Sequence, residues 1–106
     1  MKQGDIVLVM FPFSNLIDYK IRPALLVSGN NLDDLQDKWF CPITSKPSSF
    51  CLKINDFLDF GEFEKESFVK FSTIFTINPS RIIKQIGHLN KIRLDEIIQN
   101  IIKNLE

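Results

Sequence analysis

A single histidine, two cysteines and four glycines among 106 residues leave this chain few of the usual carriers of chemistry. One His and two Cys cannot complete a four-ligand zinc site without borrowed carboxylates, so no structural metal and no cofactor are expected. Two cysteines allow at most one disulfide. Cys41 and Cys51 each lie in an apolar run, which favours reduced, buried thiols over a bridge. There is no Walker loop, dinucleotide fingerprint, nucleophile elbow or HExxH motif. No apolar stretch approaches the ~20 residues that cross a bilayer. The chain turns polar and then acidic by Asp5, with no room before it for the apolar core of a secretory signal. A cytoplasmic protein without a membrane partner is expected. Charge of one sign is absent too: 13 Lys+Arg balance 13 Asp+Glu. That excludes a molecule-wide basic field for nucleic acid, though not a local basic patch.

What is present is a globular composition, 44% apolar and 25% charged. It excludes a disordered tail and fits one domain over residues 1–106. A chain of this length buries roughly 60–65% of its unfolded surface, enough for one core. Ten phenylalanines, against one Tyr and one Trp, read first as core, since Phe brings area without a polar handle.

The order of signals is strands first, helix last. Gly4-Asp5 opens a strand over Ile6–Phe11, apolar on both alternations and so covered on both faces. Pro12 ends its ladder, and Ser14–Lys20 reads as a loop. Pro23 biases Arg22 toward an extended backbone, leading into a strand over Ala24–Ser28. Gly29-Asn30-Asn31 is a turn, and Leu32–Lys38 fits a helical turn or a loop. Trp39–Thr44 is a third strand, with an edge or a bulge expected at Pro42. Phe50–Ile54 is a fourth. Asn55–Glu66 holds five acids and turns at Gly61. Ser67–Ile77 is the longest strand signal, Asn78-Pro79-Ser80 a turn, and Ile82–Leu89 a last strand. Leu94, Ile97, Ile98, Ile101, Ile102 and Leu105 then form one helical stripe, with Ile98 and Ile101 expected to be largely buried. Asp95 and Glu96 are expected in the helix's first turn and Lys103 in its last, matching the dipole. His88 reads as a core or rim histidine; no partner for it is visible in the sequence.

One ordered set of motifs carries more. Gly4-Asp5-Ile6-Val7-Leu8-Val9-Met10-Phe11-Pro12-Phe13-Ser14, followed by Lys20-Ile21-Arg22-Pro23-Ala24-Leu25-Leu26-Val27-Ser28, resembles the N-terminal signature of the MazF/PemK family of bacterial toxin endoribonucleases. Pro42-Ile43-Thr44-Ser45 resembles the end of that family's third strand. Ser67-Phe68-Val69-Lys70, Thr76-Ile77-Asn78-Pro79-Ser80-Arg81-Ile82 and Gly87-His88-Leu89 resemble its later strands. The resemblance spans nearly the whole chain. It implies a mainly β, α+β fold of the CcdB/MazF plasmid-maintenance-toxin type: a curved antiparallel SH3-like barrel with a C-terminal α-helix. It further implies a homodimer, a cognate antitoxin peptide as partner, and metal-independent cleavage of single-stranded RNA.

By that resemblance Arg22 stands at the family's catalytic arginine and Thr44 at its catalytic threonine. The residue types suit the reaction. RNA supplies its own nucleophile, the 2′-OH, so the protein must chiefly stabilise charge on phosphate. A guanidinium fits phosphate as a planar fork. Lys20, Ser45 and Lys46 flank the pair as candidate phosphate contacts, and Phe13 is a candidate base-stacking ring. The bland alternatives are a surface ion pair from Arg22 to Asp18, an ordinary strand-end Thr44, solvated lysines and a core Phe13. The acidic run Asp56–Glu66 is expected to face away from RNA, since like charge repels phosphate. Phe75 stands where many family members carry an arginine. The functional alternatives are a protein-binding toxin of the gyrase-poison type on the same fold, or a member without activity.

Overall fold

A computed structural model describes residues 1–12, 19–29 and 37–106. Among the described residues eight antiparallel strands form one curved sheet, followed by a C-terminal helix. The strands are β1 (Asp5–Pro12), β2 (Tyr19–Leu26), β3 (Lys38–Thr44), β4 (Cys51–Lys53), β5 (Leu58–Phe60), β6 (Phe68–Lys70), β7 (Phe75–Ile77) and β8 (Ile82–Leu89); the helix is α1 (Lys91–Asn104). Their order is β4-β6-β3-β2-β1-β8-β5, with β7 pairing the other half of β3. The expected curved antiparallel sheet with a terminal helix is the architecture found. β2 begins at Tyr19, earlier than the sequence suggests, because its first residues pair with the far end of β1. Phe13, Asp18 and most of the Leu32–Lys38 segment lie outside the described residues.

Strand alternation builds two apolar clusters, one on each face of the sheet. Ile6, Leu25, Cys41, Ile43, Val69 and Leu89 point to the face closed by Leu94 and Ile97 of α1. Val7, Val9, Ala24, Leu26, Phe40 and Ile77 point the other way, where Phe11 and Phe75 pack with their ring centroids 4.8 Å apart. This is why β1 reads as apolar throughout. Both cysteines are free, as expected. Burial pushes the Cys41 thiol up to about 12, while Cys51 is only half-buried, its Sγ 3.6 Å from Ser48 Oγ. A thiol reagent at pH 8 should therefore label Cys51 in the native protein and reach Cys41 only after unfolding. Mass-spectrometric mapping of the labelled sites checks this. Native labelling of Cys41 at the rate of Cys51 would contradict the packing.

The Ser67–Ile77 signal resolves into two strands. On β3, two residues lie between Phe40 and Ile43, whereas five lie between their partners Phe75 and Val69. The excess forms a turn at Phe71-Ser72 and an irregular stretch through Thr73 and Ile74, opposite Cys41–Pro42. Pro42 has no N–H to donate, so the expected bulge falls where its partner strand breaks. Pro42 is not on a sheet edge, since β3 is flanked by β2 on its other side.

The helix begins earlier than its stripe. Asn90 caps it, Oδ1 accepting from the Arg93 N–H at 2.9 Å, so Asp95 and Glu96 fall beyond the first turn, and Glu96 pairs with Arg93 at 3.0 Å instead. Leu94 and Ile97 are the buried positions; Ile98 and Ile101 are half-buried, and Ile102 and Leu105 are exposed. Ile98 and Ile101 pack against the edge of that core, and Ile102 faces solvent. No described helix is long and apolar enough to cross a membrane.

Candidate functional site

The site follows from where the β2–β3 ladder stops. Its last pair toward the start of β2 is Ala24 with Pro42. Residues 19–23 continue along β1 alone, with Val9 opposite Arg22 and Leu8 opposite Pro23. The same register carried two residues further would set Arg22 opposite Thr44, but the strands part there and leave a cleft. By alternation Arg22 shares a face with Ala24, and Thr44 shares one with Phe40, both on the side of the sheet away from α1.

A cleft of about 610 Å³ is lined by Lys20, Arg22, Ile43, Thr44, Ser45 and Lys46, and also by Phe63, Glu64, Lys65 and Ser67. A second cleft, about 510 Å³, shares Lys20, Arg22, Thr44 and Lys46 and adds Phe11, Ser48 and Lys70. The structure thus brings Arg22, Thr44, Lys20, Ser45 and Lys46 together. Arg22 is solvent-exposed and makes no ion pair among the described residues, which leaves its guanidinium fork free for a ligand. The Thr44 hydroxyl accepts from the Lys46 N–H at 3.1 Å and lies 3.4 Å from the Lys46 carbonyl. The first contact fixes the turn after β3. The second is long for an O–H donor, so the hydroxyl proton can rotate to an incoming oxygen. Phe13 lies outside the described residues; the ring that lines the second cleft is Phe11.

Sequence reasoning missed the far wall. The acidic run does not face away: its Phe63, Glu64 and Lys65 line the cleft itself. The reason is a clamp that no local pattern announces. Asn55 Oδ1 accepts from the Ser67 N–H at 2.6 Å, and Asn55 Nδ2 donates to the Lys65 carbonyl at 2.9 Å. The Ser67 hydroxyl donates to the same carbonyl at 3.0 Å. Gly61 turns the chain into this segment at φ +92°, with its Cβ space filled by the Ile86 carbonyl, so only glycine fits. Glu66 is held outside the cleft by Lys53 at 3.5 Å, which Asp56 shares at 3.9 Å.

His88 does have a partner, supplied from the far end of the chain. Its Nδ1 donates to Asp5 Oδ1 at 2.8 Å, and Asp5 also accepts from Gln85 at 2.9 Å and from the Lys2 N–H at 2.8 Å. Asp5 is buried and its acceptors are occupied, so this is a clasp between β1 and β8. It borders a different cavity, with Met1, Lys2, Asp59 and Phe60, and is not part of the Arg22 cleft. Among the described residues, no group of three His, Cys, Asp or Glu side chains is arranged to hold a metal ion.

The model of the PemK-like, MazF-like toxin of type II toxin–antitoxin systems matches residues 2–105. No curated protein matches. Among solved structures, an endoribonuclease in complex with its cognate antitoxin from a mycobacterial species superposes at TM-score 0.75, with 14% identity, covering 99% of this chain and 94% of that one. The MazE–MazF complex of Deinococcus radiodurans superposes at 0.72, with 18% identity over 99% and 95%. The Mycobacterium tuberculosis toxin MazF-mt6 superposes at 0.68, with 19% identity over 92% and 93%. At these identities the likeness is one of fold.

Proposed function

Because the chain belongs to the PemK-like, MazF-like family of type II toxin–antitoxin toxins, we propose that it is a cytoplasmic endoribonuclease that cuts single-stranded mRNA at selected sequences without a metal, acts as a homodimer and is held in check by a cognate antitoxin peptide. The observation that carries this reading is the shared cleft. Arg22 and Thr44 reach it from two different strands, with Lys20 and Lys46 beside them. A protein-binding toxin would need no such convergence. The neutral net charge is no obstacle, because Lys20, Arg22 and Lys46 line both clefts, with Lys65 added in the first and Lys70 in the second, a local basic patch of the kind that phosphate requires.

In this reaction the 2′-oxygen attacks the adjacent phosphorus and the bond to the 5′-oxygen breaks. Arg22 stabilises the dianionic phosphorane through two parallel N–H donors, and Thr44 donates to a non-bridging oxygen. The guanidinium supplies the positive charge that a metal supplies in other nucleases. The antitoxin and the second protomer would cover apolar surface, and the chain has it to cover: Phe50, Ile74 and Leu105 are exposed around one shallow groove by the end of α1.

The test is incubation of the purified protein with a long single-stranded RNA in EDTA. Discrete fragments are expected. Intact RNA, with or without added divalent metal, would move the gyrase-poison or inactive reading ahead.

A further inference from the structure

We propose that Glu64 is the general base of this reaction, an inference that rests on the ribonuclease reading above. Arg22 and Thr44 both act as donors. They can hold charge, yet neither removes the proton that the 2′-OH must lose. The group that does so must be a base within the cleft.

The described lining residues narrow the choice to one. Lys20, Arg22, Lys46 and Lys65 are cations with no acceptor to offer, and Thr44, Ser45 and Ser67 carry hydroxyls far too weakly basic. Pro23, Ile43 and Phe63 are inert. The lone histidine is engaged with Asp5 in another cavity. Glu64 is the remaining acceptor, and its carboxylate is unspent. It makes no ion pair or hydrogen bond among the described residues, although cations line the same cleft, whereas Glu66 and Asp56 of the same acidic run are both taken up by Lys53. Its backbone is also fixed. The next residue's carbonyl is held by Asn55 and Ser67, and the preceding Phe63 packs on the helix-side core. A carboxylate placed without a partner on an anchored segment, across a cleft from a phosphate-binding arginine, is positioned for the sugar side of the scissile linkage.

The step balances without a co-reactant. The 2′-O–H bond breaks and its proton passes to a Glu64 oxygen as the 2′-oxygen bonds to phosphorus. The bond from phosphorus to the 5′-oxygen then breaks, and that oxygen takes a proton from water in the open cleft. Glu64 returns its proton to solvent.

Glu64→Gln keeps the shape and removes the basicity. Cleavage should fall about 10²–10⁴-fold, and the acid limb of the wild-type pH–rate profile should disappear. Binding of a 2′-O-methyl oligoribonucleotide, which cannot react, should hold or tighten, because a negative charge leaves a basic cleft. Glu64→Asp should recover part of the rate. Glu64 is exposed, so both variants should melt like wild type. Wild-type cleavage by Glu64→Gln would overturn the proposal and leave the ribonuclease reading intact. A rate loss matched by equal loss of oligonucleotide binding, with the acid limb unchanged, would also overturn it. Failure of wild type to cut at all would overturn the ribonuclease reading itself, and this proposal with it.

Discussion

Arg22→Ala should lower RNA cleavage by at least about 10²–10³-fold, and Arg22→Lys should fall nearly as far. The second variant is the informative one. Lysine restores the charge but offers a point donor on a flexible stem, while the reaction asks for two parallel N–H groups held in one plane. Arg22 sits on a strand whose other edge is open and leans on no described ion pair, so neither variant should disturb folding. Thr44→Val should land in a similar range, since it removes a hydroxyl donor to the phosphate and also breaks the contact with the Lys46 N–H. Rates measured on one RNA in EDTA, with melting curves alongside, separate catalysis from stability. Arg22→Ala cutting at the wild-type rate would make Arg22 structural.

The largest stability effect is expected at Ile97. It is fully buried where the first turns of α1 meet Ile6, Leu89 and the sheet. Ile97→Ala leaves a cavity that the rigid sheet cannot collapse into, and should cost about 2–5 kcal/mol. Ile98 is half-buried and its truncation should cost only about 1–2 kcal/mol, because neighbouring water already reaches part of the side chain. Urea unfolding should show the difference as a shift in midpoint at constant slope. Equal losses at the two positions would mean that the helix docks by a different face.

The contrast between these neighbours shows where sequence patterns inform and where they stop. The stripe from Leu94 to Leu105 correctly announces a helix, since a 3.6-residue period depends only on neighbours along the chain. It cannot say how far the sheet extends beneath that helix, so Ile98 and Ile101 look as buried as Leu94 and Ile97. The strands were legible for the same reason: Ile6–Phe11 and Ile82–Leu89 carry their own bulk and branching. The break inside Ser67–Ile77 was only half legible. Pro42 marks a fault in β3, but which strand opposes it is a fact of topology.

The candidate site divides in the same way. Arg22, Thr44, Lys20, Ser45 and Lys46 were readable because they flank motifs, and the splaying of β2 from β3 brings them to one cleft. Glu64 was not readable. Charge counting placed its whole segment away from phosphate, while the Asn55 clamp and the Gly61 turn carry it to the cleft wall. The Asp5–His88 pair, 83 residues apart, needed the β1–β8 ladder to be seen.

If Arg22 and Thr44 promote attack by RNA's own 2′-oxygen, the termini of the products report on it most directly. RNA should be cleaved by the wild-type protein in EDTA and the fragments analysed by end-labelling and mass spectrometry. Fragments with a 5′-hydroxyl, labelled by a kinase without prior phosphatase treatment, and with a 2′,3′-cyclic phosphate or its opened form at the other end, are the predicted result. Fragments with a 5′-phosphate and a 3′-hydroxyl would contradict it, because those ends require attack by water in place of the 2′-oxygen.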